Sequence, residues 1–138
     1  MTLRERRGIL APMTPRELRI ISALAVFLCA ALPAAAGAIA FRSQPILAAT
    51  LHGEAGALPG LTGIYFNHFT GALALLLVLG LGITAFAARA HLRGDEEPVE
   101  RMAKLLAATC FSALVSVVFL GLLVLATALP AYAKLMQR

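Results

Sequence analysis

Three long uncharged runs, separated by a long irregular loop and a short charged connection, set the pattern of this chain. The cleanest is Thr70–Ala88, nineteen consecutive residues without a charge, closed by Arg89. Ile20–Phe41 contributes twenty-two more, and Leu105–Ala133 is longer again. At about 1.5 Å rise per residue, roughly 20 helical residues cross the ~30 Å hydrocarbon core of a bilayer. The pattern therefore predicts an all-α integral membrane protein with three transmembrane helices in a single membrane domain. Span 1 covers residues 20–41, span 2 residues 70–88 and span 3 residues 105–129. Residues 1–19 and 130–138 are tails, 42–69 is a loop and 89–104 is a helical hairpin connection.

Local signals refine these limits. Thr14-Pro15-Arg16-Glu17 reads as a helix start, with a capping hydroxyl, a proline at the first helical position and a carboxylate reaching back. Pro33 falls inside span 1 and predicts a kink. Pro45, Gly53, Gly56, Pro59, Gly60 and Gly63 make 42–69 the least regular stretch, with Ile46–Leu51 as a short helical turn at the interface. Gly94 is placed to end the second helix in a left-handed cap. Pro98 suits the first turn of the third, with Asp95, Glu96, Glu97 and Glu100 facing its positive dipole end. Pro130 offers a break near the end of the last run.

Charge adds direction. Of twelve Lys and Arg residues, nine lie before span 1 or between spans 2 and 3, and three lie in the 42–69 loop and the final tail. That asymmetry puts the N-terminus and the hairpin in the cytoplasm and the C-terminus on the outer side. Phe41, Tyr65, Phe66, Phe69 and Tyr132 then gather at the outer boundary, as an aromatic belt requires. The net charge of +5 invites a nucleic-acid reading. Basic residues clustered at the ends of apolar runs are topology signals instead, so no nucleic-acid partner is expected. A composition 60% hydrophobic and rich in Ala, Leu and Arg points to a bacterial inner membrane, with the mitochondrial inner membrane as the alternative.

Chemistry at depth is sparse. No Asp, Glu, Lys, Arg or His occupies the middle of a span, which argues against a self-sufficient transporter or proton path. Ser22, Ser43, Ser112 and Ser116 have no histidine at a recognisable catalytic spacing, and Gly53-Glu54-Ala55-Gly56 lacks the Lys-Ser/Thr of a phosphate loop. The chain reads as a non-enzyme. His68 and His52 are the candidate cofactor contacts, for a haem or pigment on the outer side. His91 lies about 34 Å along the helix from His68, too far to share one haem. No metal set is present in the sequence and no cofactor is predicted. Cys29 and Cys110 sit inside apolar runs and read as small apolar side chains.

Small residues at helical spacing are the candidate helix-contact faces. These are Ala30, Ala34 and Ala38 in span 1, Gly80, Thr84 and Ala88 in span 2, and Thr109 with Ala113 and Ser112 with Ser116 in span 3. In lipid, such stripes let backbones approach and let hydroxyls bond across helices.

The preferred expectation is a small non-catalytic accessory subunit of a larger energy-transducing or secretion complex, with other membrane subunits and the lipid bilayer as its partners. A second reading treats residues 20–38 as a signal cleaved near Ala36 or Ala38. The two-span remainder resembles conjugative pilin precursors in arrangement alone. A holin-like homo-oligomer and a haem- or quinone-associated anchor complete the alternatives.

Overall fold

The computed structural model describes residues 14–52, 60–93 and 97–136. Its elements are α1 (Pro15–His52), α2 (Gly60–Asn67), α3 (Phe69–Leu92) and α4 (Pro98–Met136). Every regular element among the described residues is helical, and α1, α3 and α4 are each long and apolar enough to cross a membrane. The all-α expectation with three long apolar helices therefore holds.

The helix starts follow their local chemistry. The Thr14 backbone N–H donates to Glu17 Oε2 (2.8 Å) and the Glu17 N–H donates to Thr14 Oγ1 (3.3 Å), which is the reciprocal cap expected ahead of Pro15. Those Thr14 bonds hold the Glu17 carboxyl below its ordinary value, in a turn that precedes the apolar run at Ile20. Pro98 opens α4, whose first turn closes through Arg101 N–H to the Glu97 carbonyl (3.0 Å). Gly94, Asp95 and Glu96, expected to form the turn before it, lie outside the described residues, as do Leu3–Ala11 and residues 53–59.

Three boundaries differ from expectation. Residues 42–52, read as loop, continue α1 straight through Pro45. Residues 60–67, also read as irregular, form α2, which starts at Gly60 with a left-handed φ of +62°. Pro130 does not end the last helix, and α4 runs on to Met136. A proline removes one backbone donor and disturbs the turn before it, but neighbouring groups can hold the helix together on either side. The 38 residues of α1 and 39 of α4 give rods of roughly 57 and 58 Å, nearly twice what a bilayer core needs.

α1 and α4 run parallel and α3 returns between their levels. α1 packs along both neighbours, whereas α3 and α4 meet less closely. Two apolar clusters lie along the bundle. One joins Cys29, Ala87, Ala90, Leu105 and Ala108, and the other joins Ala36, Ala40, Phe69, Leu76, Phe119 and Leu123. Between them Pro33 of α1 lies against Gly80 of α3. A Cβ added at Gly80 would sit 2.8 Å from Pro33 Cγ, closer than real Cβ atoms come, and a tight 3.0 Å from its Cβ, so something would have to shift. Glycine is used here for its missing side chain.

Gly80→Ala is therefore expected to lower stability by about 1–3 kcal/mol through overpacking, despite alanine's better helix propensity. Gly82→Ala, where the added carbon meets nothing within 4 Å, should be neutral or mildly stabilising. Thermal unfolding of the two variants in the same detergent checks the contrast.

Candidate functional site

A proline inside a helix leaves the carbonyl four residues earlier without its N–H partner, which in hydrocarbon must find another donor. Pro33 does this to Cys29. The Ser112 hydroxyl of α4, fully buried, donates to the Cys29 carbonyl at 3.0 Å and fills the vacancy. Pro130 does the same to Ala126. Buried Thr62 of α2 donates to the Ala126 carbonyl at 2.8 Å. The same repair occurs twice, once between α1 and α4 and once between α2 and α4.

Two further contacts tie α1 to its neighbours. Cys29 Sγ lies 3.6 Å from Thr109 Oγ1, whose own hydrogen goes to the Leu105 carbonyl at 2.9 Å, so the thiol is the donor. Ser22, also fully buried, lies 2.7 Å from His91 Nδ1 and donates to the Arg19 carbonyl at 3.0 Å. The Ser22 hydroxyl thus lies within hydrogen-bond reach of both the Arg19 carbonyl and the His91 ring. This joins the start of α1 to the end of α3.

The small-residue faces divide. Gly80, Ser112 and Ser116 are buried inside the bundle, and Thr84, Ala88, Thr109 and Ala113 are half-buried. Thr84 and Ser116 turn their hydroxyls onto their own helices, to the carbonyls of Gly80 (2.7 Å) and Ser112 (2.8 Å), so Ser112 carries the cross-helix bond for its face. Ala30, Ala34 and Ala38 are all exposed, on the side of α1 turned away from α3 and α4. Span 1 contacts its neighbours instead through Ser22, Cys29, Pro33, Ala36, Gly37 and Ala40. Sequence reasoning missed Ser22, His91 and Thr62. The usable signal is the proline four residues after Cys29 and after Ala126, which announces an unbonded carbonyl at each.

His68 forms the single-residue joint between α2 and α3, and its Nδ1 donates to the Ile64 carbonyl at 3.1 Å. His52 ends α1. His91 sits at the far end of α3, engaged with Ser22, so the structure separates it from His68. Among the described residues no three His, Cys, Asp or Glu side chains come together as metal ligands. Both cysteines are free, Cys29 buried and Cys110 exposed.

Aromatic residues gather at the end of the bundle where α3 begins. Tyr65 stands edge-on to Phe66 and Phe69, with ring centroids 5.9 Å away in each case. Among the described residues its buried hydroxyl oxygen has no hydrogen-bond partner, and burial raises its pKa. The opposite end carries Arg16, Arg19, Arg89, Arg93, Arg101 and Lys104. Lys104 pairs there with Glu100 at 2.9 Å, one turn away.

Two outcomes follow from these bonds. Ser112→Ala should cost about 0.5–1.5 kcal/mol, and much less in a Pro33→Ala background, where the introduced alanine restores the missing N–H. A double-mutant cycle in detergent unfolding reads that coupling. Tyr65→Phe removes a buried hydroxyl with no partner and should leave stability unchanged or raise it by up to about 1 kcal/mol.

Comparison with protein families, with curated proteins and with solved structures returned no match.

Proposed function

We propose that this chain is a small non-catalytic accessory subunit of a larger membrane assembly. The observation that carries the reading is the outward face of α1. Ala30, Ala34 and Ala38 recur at every fourth position and are all exposed, while the inward face of the same helix is used up in the bundle. A strip of methyl groups in lipid is a surface on which another helix can pack at close range. Between 22% and 28% of each apolar window is buried inside the chain, so each long helix has ample surface left for neighbours. Buried Ser22, Thr62 and Ser112 each bond across helices, which supports a structural task rather than a catalytic one.

In this reading the basic end faces the cytoplasm and the aromatic end faces outward, in a bacterial inner membrane. The ends of α1 and α4 beyond residues 41 and 129 then reach past the bilayer, where they suit docking of an extracytoplasmic domain. In this reading residues up to Ala36 and Ala38 stay part of the chain. Ser22, Cys29 and Pro33 supply the contacts that join α1 to α3 and α4, and cleavage would remove all three.

The test is purification through a C-terminal tag in mild detergent, comparing the native chain with Ala34→Leu. A stoichiometric membrane partner is expected with the native chain and is expected to be lost with Ala34→Leu, while the melting temperature of the isolated chain stays the same. Solute movement or substrate turnover by the isolated chain in liposomes would overturn the proposal.

A further inference from the structure

We draw no further inference here: the strongest candidate, the apolar cleft along the seam between α3 and α4 that runs from Leu75 to Phe86 and is walled by Phe111 and Leu122, is an unpartnered apolar face, and nothing in the structure shows what covers it.

Discussion

A backbone carbonyl deprived of its partner inside an apolar bundle is the constraint around which these helices are arranged. Pro33 takes the N–H from Cys29, and Ser112 returns a donor from another helix. The proline ring meanwhile fills the notch left by Gly80 on the third. One residue therefore fixes the relative rotation and depth of α1, α3 and α4 at a single level between the two apolar clusters. Leu, Ile and Val contacts alone specify little in lipid, where helix faces and solvent are equally apolar. The polar bond and the close approach supply the specificity that hydrophobicity cannot.

Thr62 repeats the device at Ala126, and its effect differs because α2 is short. Eight residues do not hold a helix in place by themselves. The bond to the carbonyl freed by Pro130, the edge-on stacking of Tyr65 and the one-residue joint at His68 fasten α2 to the aromatic end of the bundle. The chain thus closes that end with a small helical plug, while the seam between α3 and α4 stays open toward the basic end.

The three long helices are legible in the sequence because charge-free length is a direct physical requirement for crossing hydrocarbon. The reciprocal Thr14–Glu17 cap is legible because it depends on four adjacent residues. Residues 42–52 mislead because Pro45 and Arg42 look like a break. Beyond the apolar core, however, a carbonyl freed by proline can bond water, so the helix continues at little cost. Ser112 and Thr62 are recognisable as polar residues in or beside apolar runs, but their partners lie 83 and 64 positions away. Pairing across such separations depends on helix rotation, which composition does not encode. The same holds for Ala30, Ala34 and Ala38. Their spacing is evident, but which way they face depends on what Pro33 does on the other side of α1.

The bond between Cys29 and Ser112 also has a consequence for how the chain is made. α1 leaves the ribosome first, carrying an unbonded carbonyl, and its donor is synthesised 83 residues later. A carbonyl without a donor is costly in an apolar medium, so the first helix is complete as an apolar rod only once α4 lies beside it.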